Sequence, residues 1–181
     1  MNIVLIGYRC SGKTCVGRLL AGELKRNFVD TDSLIEEKEG IPIHSYVSRY
    51  GWRNFRRLEK EVVEAVALEE NTVIATGGGV VMDMENVIRL KKNGWIVWLL
   101  AEAGVIRKRM AQAWKNGELR PPLFGSNPLE EINSILRERT PIYGRACDYR
   151  VWTDNRSPEA VTEKILKVFL CIHTDGTGGT D

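Results

Sequence analysis

Gly7-Tyr8-Arg9-Cys10-Ser11-Gly12-Lys13-Thr14 constrains this chain more than any other stretch. It matches the phosphate-loop pattern G-x-x-x-x-G-K-[ST] at every defined position. The glycines let backbone wrap closely around phosphate oxygens, with successive N–H groups pointing at the anion. The Lys13 ammonium can reach β- and γ-phosphates, and the Thr14 hydroxyl can ligate Mg²⁺. Gly7, Cys10, Ser11, Gly12, Lys13, Thr14 and Cys15 are therefore candidate nucleotide contacts. A glycine-rich turn with no ligand is the plain alternative, and the flanking sequence argues against it. Asn2–Ile6 is a short apolar run of the kind a buried parallel strand requires. From Lys13 to Arg26, Val16, Leu19, Leu20 and Leu24 recur at helical spacing. The loop thus sits on a helix N-terminus, where free N–H groups and the macrodipole favour an anion.

Strand and helix candidates alternate along the rest of the chain. Strands are predicted at Ile3–Ile6, Asn27–Asp30, Thr72–Ala75, Trp95–Leu100 and Tyr149–Trp152. Helices are predicted at Lys13–Arg26, Thr31–Glu39, Trp52–Glu70, Met84–Lys92, Glu102–Trp114, Pro128–Arg139 and Pro158–Cys171. This order predicts an α/β domain with a parallel sheet, whose ligands lie at the carboxyl ends of the strands. A length of 181 residues suits one such domain, taken here as residues 1–173. A mobile lid is expected at about residues 113–127, which hold Gly117, Pro121, Pro122 and Gly125. The glycine-rich tail 174–181 is expected to be disordered. The net charge of +2 argues against a broad nucleic-acid surface. The basic run Arg107-Lys108-Arg109 reads as a solvated helix face with one nucleotide contact. No apolar run approaches the ~20 residues of a membrane span, and no secretory signal is expected. Cys10, Cys15, Cys147 and Cys171 show no C-x-x-C spacing, so reduced thiols and a cytoplasmic location are expected.

Four further segments carry candidate chemistry. Val29-Asp30-Thr31-Asp32 follows the second strand, and if the chain stays extended both carboxylates face the ligand edge. One could hold Mg²⁺ through water and the other could accept a hydrogen bond or proton from a substrate hydroxyl. N-capping of the next helix would explain one of them and leave the other unexplained. Arg56 and Glu59 share a helix face at i, i+3 spacing. From spacing alone a surface ion pair is the simpler reading. Thr76-Gly77-Gly78-Gly79 ends the third strand, and three glycines suggest something approaching the backbone closely. Arg120 in the lid could close over transferring phosphate. Arg139, at the predicted end of a helix, could equally be dipole compensation.

Taken together, the set resembles the shikimate kinase family from Met1 to about Cys171. The elements occur in the family's order: the phosphate loop, D-T-D at Asp30–Asp32, F-R-R-x-E at Phe55–Glu59 and G-G-G at Gly77–Gly79. Then come the lid at Arg120-Pro121, R-x-P-x-Y at Arg139–Tyr143 and T-D-N-R-x-P at Thr153–Pro158. The resemblance implies a three-layer P-loop kinase fold of the nucleoside-monophosphate-kinase type, with a five-stranded parallel sheet flanked by helices. It implies transfer of the γ-phosphoryl group of ATP to the 3-hydroxyl of shikimate, with Mg²⁺ as cofactor, in a monomer. Lys13, Asp32 and Arg120 would be catalytic. Thr14 and Asp30 would hold the metal. Asp32, Arg56, Gly77, Gly78, Gly79 and Arg139 would bind shikimate, the two arginines clamping its carboxylate. Arg109, Arg156 and Pro158 would pack about adenine. Departures are Pro122 after Arg120-Pro121, Trp52 after Gly51, and the segment Trp114–Leu119. They bear on the lid more than on the acceptor. A gluconate-type kinase of the same fold and a non-catalytic nucleotide-binding module are the alternatives.

Overall fold

The computed structural model describes residues 1–117 and 129–174. Five parallel strands, β1 (Asn2–Ile6), β2 (Asn27–Asp30), β3 (Thr72–Ala75), β4 (Gly94–Leu100) and β5 (Tyr149–Trp152), form one sheet in the order β2-β3-β1-β4-β5. Seven α-helices among the described residues connect or flank them: α1 (Lys13–Leu24), α2 (Thr31–Glu39), α3 (Ile43–Val66), α4 (Met84–Asn93), α5 (Ala103–Lys115), α6 (Ile132–Ala146) and α7 (Pro158–Thr174). A single 3₁₀ turn, Val80–Met82, follows the triple glycine.

Strand alternation explains the layering. Val4, Ile6, Ile74, Ile96, Trp98 and Leu100 point to one face and pack with α2, α3, α4 and α6. Ile3, Leu5, Val73, Trp95, Val97 and Leu99 point to the other and pack with α1 and α7. Both faces are covered, so the central strands are apolar at nearly every position. After β1 the chain runs to β2 and β3 on one side, then crosses to β4 and β5 on the other. The crevice created where the order reverses lies at the carboxyl end of β1, where Gly7–Thr14 begins.

Several helix boundaries differ from the sequence expectation. α3 starts at Ile43 rather than Trp52, because Gly51 (φ 79, ψ 164) kinks the chain between two helical stretches instead of ending one. It also stops at Val66, short of Glu70. α6 does not end at Arg139. It begins at Ile132 and runs through Pro141 to Ala146. Proline deletes one backbone bond, and burial of Arg139, Tyr143 and Ala146 on the inner face holds the helix together across it. α1 ends at Leu24, with Lys25 in the left-handed region. No helix among the described residues is long and apolar enough to cross a membrane.

Candidate active site

The loop after β1 takes the cradle geometry that its glycines predict. Gly12 (φ 100) caps α1, and Gly7 (φ 144) turns the chain out of the strand. A Cβ on Gly7 would lie 2.5 Å from the Leu99 carbonyl oxygen and 2.9 Å from Ser11 Oγ. Lys13 is buried, its Nζ donating to the Gly7 and Tyr8 carbonyls at 2.9 Å each. These bonds tie the lysine across the loop. A cavity of about 500 Å³ opens above it, lined by Cys10, Ser11, Gly12, Lys13, Thr14 and Cys15 on the loop side. Arg109, Thr153, Arg156 and Pro158 line its far wall. Arg109 donates to the Cys10 carbonyl (3.3 Å), to Thr153 Oγ1 (3.0 Å) and to the Thr153 carbonyl (2.9 Å), so α5 and the segment after β5 are pinned to the loop. Arg156 donates to the Trp152 carbonyl at 2.7 Å.

Asp30 and Asp32 reach this cavity by a different route from the extended one predicted. The helix begins at Thr31, and Asp30 is its N-cap, Oδ1 accepting from the N–H groups of Asp32 (3.1 Å) and Ser33 (3.3 Å). The other oxygen accepts from the Thr14 hydroxyl at 2.7 Å. Asp32 therefore arrives on the first helical turn rather than at an alternate strand position. Capping and a ligand-facing carboxylate are not exclusive here: Asp30 does both. Thr31 Oγ1 accepts from Gly77 N at 2.9 Å, which fastens α2 to the triple glycine.

A second, smaller cavity of about 60 Å³ adjoins the first, lined by Tyr8, Arg9, Asp32, Trp52, Phe55, Arg56, Glu59, Gly78, Gly79 and Arg139. Arg56 is no surface pair. Its guanidinium bonds the buried Glu59 carboxylate at 2.7 Å and lies against the rings of Trp52 and Phe55. Burial raises the Glu59 pKa, and Arg56 opposes that shift. The guanidinium also rests on Gly79, where any Cβ would collide with it. At Gly77 a Cβ would sit 2.6 Å from Asp32 Oδ1 and 3.0 Å from Glu59 Oε1. Three successive residues without side chains thus leave room for two carboxylates and a guanidinium. Across the cavity, Arg139 Nη1 (3.0 Å) and the Tyr143 hydroxyl (2.5 Å) both donate to the Gly78 carbonyl. Burial pushes the Tyr143 phenol up to about 12 against the pull of Arg139.

The family model for shikimate kinase matches residues 9–170. The chain belongs to the shikimate kinase family. It is an ATP-dependent kinase with the P-loop kinase fold. A shikimate kinase from Thermodesulfovibrio yellowstonii is 43% identical over 168 residues, covering 93% of this chain and 94% of that protein. Shikimate kinase from Acinetobacter baumannii, solved in complex with shikimate, superimposes with a TM-score of 0.87 at 32% identity over 95% of this chain and 94% of that one. The Aquifex aeolicus enzyme gives 0.79 at 32% identity, covering 99% of this chain and 100% of that one.

Most of the expected site residues of this shikimate kinase family member are brought together by the fold. Gly7 and Gly77 lie outside both cavity walls. They shape the walls rather than form them. Arg120 lies outside the described residues, as does the lid beyond residue 117, while residues 113–115 form the last turn of α5. Arg9, Thr153 and Tyr143 lie within the sequence motifs without a role of their own, Thr153 being expected only at the ligand edge of the sheet. Arg9 occupies an undefined position of the loop pattern, and nothing in local spacing marks the other two as neighbours of Cys10 or Gly78.

Proposed function

We propose that this protein transfers the γ-phosphoryl group of ATP to the 3-hydroxyl of shikimate, giving shikimate 3-phosphate and ADP. The observation that carries the proposal is the pair of adjoining cavities. One is walled by the phosphate loop, and the other by Arg56 and Arg139 with Asp32 between them. Two arginines suit a single carboxylate, since each guanidinium offers a planar fork of donors. Asp32 suits hydroxyl groups, and its carboxylate can orient the attacking oxygen and take its proton. Such transfer depends on positioning and charge neutralisation more than on covalent chemistry with the protein. Lys13 and the loop N–H groups hold the β- and γ-phosphates, and Arg120 adds positive charge.

The hydroxyl of Thr14 and the carboxylate of Asp30, already in contact, form the hard-oxygen donor set that Mg²⁺ prefers. Mg²⁺ takes only one or two protein oxygens, the rest coming from phosphate and water. Thr14, and Asp30 through water, would hold the ion, which supplies positive charge beside the phosphates when bound. Arg109, Arg156 and Pro158 enclose the adenine end. This function goes with a cytoplasmic monomer.

Gluconate also offers a carboxylate and hydroxyls, so the acceptor is tested directly. ADP release is followed with shikimate and with gluconate as acceptor, in the unaltered protein and in Lys13→Ala. Shikimate-dependent release is expected, with gluconate poor. Lys13→Ala is expected to lose about 100-fold or more in kcat while retaining its circular dichroism spectrum. Preference for gluconate, nucleotide binding without ADP release, or normal turnover in the variant would each overturn the reading.

A further inference from the structure

We propose that Arg9 contacts the phosphoryl group in flight and stabilises its charge, a role that rests on the phosphoryl-transfer reading above. The two cavities share three lining residues, Arg9, Asp32 and Gly78. A group passing from nucleotide to acceptor crosses at these residues. Asp32 is an anion and Gly78 has no side chain, so Arg9 supplies the positive charge at the junction.

Each of the other cations of the described site lines one cavity only. Lys13 is drawn onto the Gly7 and Tyr8 carbonyls at the base of the loop. Arg109 is pinned to Cys10 and Thr153 at the nucleotide end. Arg56 is held by Glu59 and Arg139 by the Gly78 carbonyl, both on the wall of the acceptor cavity. The Arg9 guanidinium lies 5.5 Å from the centre of the Tyr8 ring, itself part of the acceptor wall. Its backbone is fixed from both sides. A Cβ on Gly78 would sit 3.2 Å from Arg9 N, so the triple glycine packs directly against the loop, and Cys10 turns the chain sharply at φ 60.

The chemistry needs a cation at that point. The bond between the γ-phosphorus and the bridging oxygen breaks, leaving its electron pair on ADP. A bond to the acceptor oxygen forms, and the hydroxyl proton passes to Asp32. Negative charge is spread over three equatorial oxygens in the transition state, and a guanidinium fork can meet two of them together.

Steady-state kinetics of Arg9→Gln and Arg9→Lys with MgATP and shikimate test this, together with the affinity for ADP alone and for ADP–aluminium fluoride in the presence of shikimate. Arg9→Gln is expected to lower kcat about 100-fold or more, with both KM values within about twofold. Arg9→Lys is expected to recover part of the loss. Tight binding of ADP–aluminium fluoride is expected to weaken in parallel while ADP affinity holds. A kcat within about threefold of the unaltered protein overturns the proposal. So does a raised KM for shikimate with kcat retained, which would place Arg9 on the acceptor carboxylate. Loss of ADP affinity in both variants also overturns it, since Arg9 would then only shape the loop. If the unaltered protein shows no shikimate-dependent ADP release, the function reading fails first and this one with it.

Discussion

Glu59→Gln separates holding the proposed substrate clamp, Arg56, from holding the fold. Glu59 is 2% exposed and bonds Arg56 Nη1 at 2.7 Å, while the Arg56 side chain is 33% exposed. Gln keeps the shape and an oxygen acceptor but removes the charge. A hydrogen bond to an ionised group contributes about 1.5–3 kcal/mol and a neutral one about 0.5–1.5, so Arg56 loses about 1–1.5 kcal/mol of restraint. At about 1.4 kcal/mol per factor of ten, the KM for shikimate should rise about five- to tenfold with kcat within about twofold. Stability should move differently. Burial holds the Glu59 pKa above the ordinary carboxylate range, so the folded chain binds this proton more tightly than the unfolded chain. Its contribution to stability is full below the unfolded-state pKa and fades as pH rises through the raised folded-state value. Urea midpoints of the variant should therefore gain on the unaltered protein as pH rises above the ordinary value of 4.5. The assay pairs KM for shikimate at neutral pH with urea unfolding across that range. An unchanged KM refutes the positioning role. A midpoint that falls relative to the unaltered protein as pH rises refutes the burial argument.

Three further variants probe the acceptor side of the site. Arg139→Ala leaves the Gly78 carbonyl still bonded by Tyr143, so KM for shikimate should rise about 10- to 100-fold for the lost charged hydrogen bonds, read by initial rates. Tyr143→Phe leaves the Arg139 bond in place and should cost about 1 kcal/mol in urea unfolding with little change in KM. Gly77→Ala places a Cβ 2.6 Å from Asp32 Oδ1. The displaced carboxylate should cost up to about 100-fold in kcat, with the unfolding midpoint nearly unchanged.

The three central strands were legible in the sequence to within one residue, because both sheet faces are covered and a buried parallel strand reads as an unbroken apolar run. Helix ends were less so. Gly51 and Pro141 look like terminators, yet packing carries the chain through each. The same limitation affected Asp32. The expectation that it faces the cavity was right and the extended backbone behind it was not, because the carboxylate of Asp30 stabilises a helical turn already at Thr31.

By itself the sequence determined the donor half of the site. Gly7–Thr14 is contiguous, and a strand-loop-helix unit fixes its own geometry through local backbone conformation and the free N–H groups of one helix end. The tertiary structure decided the acceptor half. Asp32, Arg56, Gly77–Gly79 and Arg139 come from four separate segments, and they meet because the order β2-β3-β1-β4-β5 gathers those segments around the carboxyl end of β1. Spacing along the chain left Arg56 as an exposed pair and Arg139 as a helix-end charge. Only burial against Glu59, Gly78 and Gly79 makes them a directed pair, because the strength and orientation of a charge depend on what surrounds it in space.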